Sequence, residues 1–357
     1  MSIFKNQLSG PTDPLHDANY GVETKRKGFF TDTSVCIGCK ACEVACKEWN
    51  RVPARQEHEH GNTFSGNSFD NSYHLGANQW RHVAFVEQTG EQIAAARRSG
   101  VVALGMPSVR KPGEGLAGGT DGAAAPTRTA LADPADPTAP GSGLAEGDPQ
   151  GLPAVRWLMS SDVCKHCTHA ACLDVCPTGA LFRSEFGSVV VQPDVCNGCG
   201  YCVAACPFGV IDRREKGTIT IGDVSTPIPN GGVAQKCTLC YDRLKDGQKP
   251  ACAKNCPTES IHFGDHDEMV RMARERLAEL HAQGHTEARL YGANPDDGVG
   301  GTGSVFLLMD EPEAYGLPPD PEVTTADIAS MFTHAGVAGT AMIATALGMF
   351  VLNGRQK

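Results

Sequence analysis

Sixteen cysteines fall into four groups of four with none left over. They are Cys36, Cys39, Cys42, Cys46; Cys164, Cys167, Cys172, Cys176; Cys196, Cys199, Cys202, Cys206; and Cys237, Cys240, Cys252, Cys256. Each group opens with C-x2-C and closes with C-x3-C, which makes an internal fourfold repeat with variable middles. Thiols at such spacing either cross-link the chain or bind soft metals. An even count suits disulfides. Against that, the N-terminus MSIFKNQLSGPTDP has no basic region followed by an apolar run, so no secretory signal supports an oxidising destination. The expectation is metal.

Structural zinc is tetrahedral and takes two CxxC knuckles per ion. Groups one and three do not read that way, because each sets three cysteines at successive three-residue steps. One short loop then reaches three neighbouring corners of a cubane. The run C-x2-C-x2-C-x3-C-P is the ferredoxin signature for [4Fe–4S] clusters, in which three cysteines bind one cluster and the fourth crosses to a second. Group three, CNGCGYCVAACP, matches it throughout; groups two and four carry longer gaps. Lys47 stands where group one would carry proline, whereas Pro177, Pro207 and Pro257 follow the other three groups. That proline shapes the exit from the loop and is no ligand.

Only nineteen residues separate groups two and three, as in a two-cluster ferredoxin. Cys164, Cys167, Cys172 and Cys206 are therefore expected to share one cluster, and Cys176, Cys196, Cys199 and Cys202 another. By elimination, Cys36, Cys39, Cys42 and Cys256 hold a third, and Cys46, Cys237, Cys240 and Cys252 the fourth. The fold class expected is α+β: one ferredoxin-like module with two [4Fe–4S] clusters, inserted in a second discontinuous one. The discontinuous module takes 1–90 and 230–265, and the inserted one 154–229. Four clusters make a wire; no nucleophile–base set and no phosphate-binding glycine loop appears beside them.

Other groups near the cysteines read as secondary. His166 and His169 interleave with group two as packing or surface residues, with tuning of a cluster as the alternative. Lys40 and Lys165 either raise a cluster potential or stand in solvent. His58 and His60 sit in a polar run, ARQEHEHGN. A formal charge of −10 argues against nucleic acid as a partner, and 6% aromatic content argues that something besides side-chain packing holds the domains together.

The elements that position these groups are sparse. QWRHVAFVEQ (Gln79–Gln88) reads as a strand, and GSVVVQ as a short strand after a glycine turn. Residues 91–153 form an insertion whose Gly/Ala/Pro-rich part, Gly113–Pro153, cannot bury a core. Residues 266–330 comprise a helix, His266–Gly284, with Met269, Met272, Ala273, Leu277 and Leu280 on one face, and an extended tail. Residues 331–353 are expected to span a membrane, since Ala335–Leu352 carries eighteen residues without a charge. Arg355 and Lys357 follow it and no Lys or Arg lies between Tyr291 and Met331, which puts the tail in the cytoplasm and the clusters outside; the cytoplasmic face is the alternative. His334, at the entrance to the span, reads as an interfacial residue.

TDTSVCIGCKACEVACKEWN, GYCVAACPFGV, KCTLCYDRLKDGQKPACAKNCPT, IHFG and DDGVGGTGSVFLLMDEPEAYGLPPDP together resemble the iron–sulfur (beta) subunit of membrane-bound formate dehydrogenase. The resemblance covers most of the chain outside Gly113–Pro153. It implies an electron-transfer subunit without catalytic residues of its own. A separate alpha subunit bearing molybdenum or tungsten on a pterin oxidises formate. Electrons then pass through four [4Fe–4S] clusters to a membrane cytochrome b (gamma) subunit and the quinones of a respiratory chain. The family's cluster pairing agrees with the one above. The equivalent subunit of a hydrogenase or another molybdopterin oxidoreductase is the alternative; a zinc-stapled scaffold and a soluble polyferredoxin are the readings from other classes.

Overall fold

The structure, a computed structural model, describes residues 13–15, 20–21, 24–53, 74–105, 155–221 and 224–354. His58, His60, Gly113–Pro153, Arg355 and Lys357 lie outside the described residues.

The central sheet is built around β1 (Lys27–Asp32), whose Phe29 and Phe30 are fully buried. β1 pairs antiparallel with Ile261–Asp265 and parallel with Ser304–Leu308, and the latter pairs antiparallel with Arg289–Tyr291. Residues 289–308 are thus two strands of the main sheet rather than an extended tail. The reason is SVFLL at 304–308, five consecutive buried residues that satisfy a strand covered on both faces. The helix His266–Ala282 lies against this sheet through Met269, Ala273 and Leu280, and ends at Gly284 with φ +89°.

β2 (Arg81–Thr89) and β3 (Val155–Val163) form a nine-residue antiparallel ribbon, Arg81 opposite Val163 and Thr89 opposite Val155. A helix, α2 (Gly90–Gly105), follows β2 directly. Ile93 and Ala96 are buried, and a Cβ on Gly100 would meet the Thr286 carbonyl oxygen at 1.9 Å. The segment from 91 to 105, read from sequence as the start of an insertion, is therefore helix, packed against the body at Ile93, Ala96 and Gly100. Its alanines carry the helix propensity and Ile93 supplies the apolar contact.

Around groups two and three, Leu181–Arg183 and Val189–Val191 make the expected hairpin, and Asp212–Arg213 pairs with Ala234–Gln235. A small core of Ala170, Leu181, Val189, Val191, Cys202 and Ile211 lies beneath them. The larger core joins Phe29, Val83, Leu158, Val305 and Phe306 to Cys42, Cys164, Cys237 and Cys252. Cysteine thus fills core positions that a 6% aromatic content leaves open. At the C-terminus a helix, Ile328–Gly354, runs for about 40 Å, longer than the roughly 30 Å of membrane hydrocarbon. Its segment Met331–Met349 has a mean hydropathy of 1.2, and none of it is buried.

Candidate metal centres

The four cysteine groups reach their places through one repeated backbone device. The residue two after the first cysteine is left-handed in every group: Gly38 (φ +63°), His166 (φ +45°), Gly198 (φ +73°) and Leu239 (φ +61°). This turn folds the C-x2-C loop back on itself, and glycine adopts it without penalty. Crowding adds a second reason at two of them. A Cβ on Gly198 would meet the Gly232 carbonyl oxygen at 2.2 Å, and one on Gly38 the side chains of Met159 and Phe85 at 2.6 Å.

The loops bring sulfurs from distant groups together in four places. Site A is a cavity lined by Cys36, Cys39, Cys42 and Cys256, with Val83, Ser161 and Ile261. Site C is a cavity lined by Cys164, Cys167, Cys172 and Cys206, with His166 and Lys236. Site D is a cavity lined by Cys176, Cys196, Cys199 and Cys202. Site B has Cys46, Cys237, Cys240 and Cys252, all buried. Asn50 Nδ2 lies 3.6 Å from Cys46 Sγ and 3.9 Å from Cys240 Sγ. A separate cleft, lined by Arg26, Asp265 and His266 among others, contains no cysteine.

Burial first, then repulsion among neighbouring sulfurs, pushes most of these thiols up. Cys42 rises to about 11, Cys202 to about 11 and Cys172 to about 12, and Cys46, Cys167 and Cys237 are raised well above the ordinary value. Burial also pushes Cys176 up, but hydrogen bonds from the backbone at Leu181, Thr178 and Ala180 and from the Thr178 hydroxyl outweigh it and leave the thiol below its ordinary value. Such sites hold thiols until a cation arrives, and loading releases protons. Among the described residues no three His, Cys, Asp or Glu side chains converge as a single-ion site. Sulfurs arrayed around a cavity fit the corners of a cubane better than the one point of a zinc ion.

The same sulfur–sulfur repulsions order the sites. Cys42 of A is raised by Cys252 of B, Cys237 of B by Cys164 of C, and Cys172 of C by Cys202 of D. A thus adjoins B, B adjoins C and C adjoins D. The C-terminal helix leaves the body beside C and D, where Thr324 Oγ1 donates to the Ala205 carbonyl and Thr325 Oγ1 to Asp174 at 2.7 Å.

Lys47 now has a reason. Three of the four groups make helices of four or five residues, Ala171–Asp174, Tyr201–Ala205 and Ala251–Lys254, that stop short of their Cys-Pro step. The group-one helix α1 (Ala41–Asn50) runs on through Lys47 for ten residues. That extra turn carries Asn50 to site B and lets Trp49 Nε1 donate to Asp242 at 2.7 Å. A proline at 47 removes a helical N–H and interrupts the turn.

Lys165 is buried rather than solvent-exposed: its ammonium pairs with Asp162, donates to the Val163 carbonyl at 3.1 Å and lies 4.8 Å from the centre of the Phe306 ring. Lys40 is half-buried, 3.5 Å from Glu43 and 5.8 Å from the centre of the Phe85 ring at the edge of site A. His166 is a buried neutral imidazole. Its Nδ1 accepts from the Val189 N–H at 3.1 Å, and burial, then Lys236, Arg26 and Arg183, hold its pKa well below the ordinary value. His169 packs against Gly300, and His334 is exposed on the C-terminal helix. Two buried cations at these sites went unnoticed in the sequence. Lys236 donates to the Cys237 and Val189 carbonyls beside site C. Arg81, 1% exposed, lies between A and B. A positive residue just ahead of the apolar run Val83–Val86 was the available signal for Arg81.

Comparison with known proteins now adds to this geometry. A family model described as a 4Fe-4S dicluster domain matches residues 155–266, which takes in groups two, three and four. The chain is 32% identical over 353 residues to the nitrate-inducible formate dehydrogenase iron-sulfur subunit of Escherichia coli K12, covering 97% of this chain and 90% of that one. The chain belongs to the formate dehydrogenase iron–sulfur subunit family. The family's Haemophilus influenzae subunit is 32% identical over 319 residues, covering 88% of this chain and 75% of its own length. The thiosulfate reductase electron transfer subunit PhsB of Salmonella typhi is 47% identical over 106 residues, covering 29% of this chain and 48% of its own. As a member of the family, the chain carries [4Fe–4S] clusters and works in electron transfer, not catalysis.

Proposed function

We propose that the chain relays electrons from formate. They would come from a separate catalytic subunit with molybdenum or tungsten on a pterin and leave to a membrane cytochrome b and quinone. The bound [4Fe–4S] groups supply one-electron chemistry, and this chain's residues hold, insulate and order them. The sixteen cysteines are assigned as the four sets of sites A to D, two sites in each of two ferredoxin-like modules, one inserted in the other. The single observation that carries the reading is that serial arrangement. Its two ends, A and D, are where the only exposed cysteines among the described residues, Cys39 and Cys199, are found. Electrons would enter at A and leave at D, since the C-terminal helix departs near D. That helix is the membrane anchor in this reading, with the cluster sites on the outer face.

The test is iron and acid-labile sulfide on the anaerobically purified complex, followed by electron paramagnetic resonance on adding formate. About sixteen iron atoms per chain and several interacting signals that appear with formate are expected. A loaded chain silent towards formate would keep the relay and assign it to another oxidoreductase, the reading favoured by the similarity to the thiosulfate reductase subunit. Zinc without sulfide would end it.

A further inference from the structure

Arg81 is the largest side chain buried below 2% exposure among the described residues. Its guanidinium has no carboxylate partner there. Nη1 donates to the Ser161 carbonyl at 3.2 Å and to Ser161 Oγ at 2.9 Å, and the guanidinium carbon lies 4.9 Å from the centre of the Phe29 ring. Nε and Nη2 have no oxygen or nitrogen partner, and the guanidinium reaches the Cys252 sulfur of site B. A buried cation with two donors lacking such partners costs several kcal/mol unless an anion lies close by. The groups around it that can become anionic are sulfurs: Cys252, Cys237 and Cys46 of site B, and Cys42 of site A. Ser161 completes the arrangement, because its Oγ also lies 3.1 Å from Cys42 Sγ. One hydroxyl therefore links Arg81 to a ligand of site A, while the other edge of the guanidinium is left for site B.

Arginine stays charged under all ordinary conditions, so this is a fixed positive charge placed between two electron-carrying sites. Adding an electron makes a site more negative, and a cation at close range in a dry interior favours that state. Resting on the site assignment above, we infer that Arg81 is a positioning residue for electron transfer: it raises the reduction potentials of sites A and B together. Sites C and D lie beyond it and keep their potentials without it.

The experiment uses the whole complex with Arg81→Gln, which keeps an amide donor for Ser161 and removes the charge, and Arg81→Lys, which keeps the charge. Iron and sulfide content is measured first on the unaltered complex, so that a wrong cofactor assignment shows itself there and not as a failure of this proposal. Potentiometric titration by electron paramagnetic resonance then follows each signal. Arg81→Gln is expected to change the reduced-to-oxidised ratio at fixed potential at least tenfold for two of the four signals, a downward shift of about 59 mV for a one-electron couple. Arg81→Lys should restore most of it. If Arg81→Gln leaves B unloaded, the signal of A must still move down while C and D stay. Fully loaded Arg81→Gln with unmoved potentials, a uniform shift of all four, or loss of all four clusters would each overturn the assignment.

Discussion

The ends and the middle of the relay are built to different rules. Site A has Cys39 in solvent, with Val35, Ile37 and Val44 bare beside it, and site D has Cys199 in solvent, with Val195 and Tyr201 exposed nearby. Site B buries all four cysteines and shares the buried Arg81 with the inner side of A, and C has the buried Lys236 and Lys165 at hand. An anionic group in a dry interior is costly unless a cation accompanies it, whereas one at the surface is already solvated. The ends must meet partners and the middle must not. Exposed apolar side chains around a redox site are what a partner covers, and buried cations are what replaces the missing water.

The largest test of that division is a cysteine at each position. Cys237→Ala should cost site B its iron and the complex much of its folded yield, because Cys237 is also a main-core residue; Cys199→Ala should cost four iron atoms per chain with the yield kept. In both, the catalytic subunit should still reduce an artificial dye while quinone reduction stops. Equal yields by metal analysis and size exclusion would erase the distinction. Next comes the exit. Deleting the residues after Thr333 should move fully loaded, dye-reducing complex from the membrane to the soluble fraction, and continued sedimentation with membranes would put the anchor elsewhere.

A smaller effect separates group one from the rest. Lys47→Pro should cost about 3 kcal/mol in the α1 turn and release Asn50 from site B. The result to look for is a lower unfolding midpoint with partial loss of B's signal while A, held by the first turn of the helix, keeps its own. Smallest is the surface itself. Ile37→Asp should leave unfolding within about 0.5 kcal/mol and iron content unchanged. It should slow electron delivery into A, seen as a lag in cluster reduction by formate in stopped-flow absorbance; an unchanged rate would mean that the patch touches no donor.

What was legible in the sequence was local. Cysteine spacing, the β2 run, the hairpin around Val189–Val191, the helix from His266 and the charge-free C-terminal segment each declare themselves within twenty residues or so. The gathering of cysteines from distant groups followed because the repeat has a known crossing rule. Three things did not show. Ser304–Leu308 carries an apolar run of four, Val305–Leu308, that periodicity cannot tell from a buried helix turn, and its partner β1 lies more than 270 residues earlier. The helical segment 91–105 was hidden by the low-complexity composition that follows it. Arg81 and Lys236 read as ordinary polar residues, because burial of a charge is decided by what packs around it in three dimensions.

One consequence concerns how the chain is made. Cys36, Cys39 and Cys42 line the same cavity as Cys256, and β1 is not flanked on both sides until Ser304–Leu308 exists. At about 5–20 residues per second, synthesis takes roughly 10–40 s to travel from Cys42 to Cys256. Groups two and three need only the 43 residues from Cys164 to Cys206, and are complete first. The nascent chain therefore finishes the C–D half while the opening cysteines wait, open to oxidation and to the wrong metal, for a partner that the ribosome has yet to read.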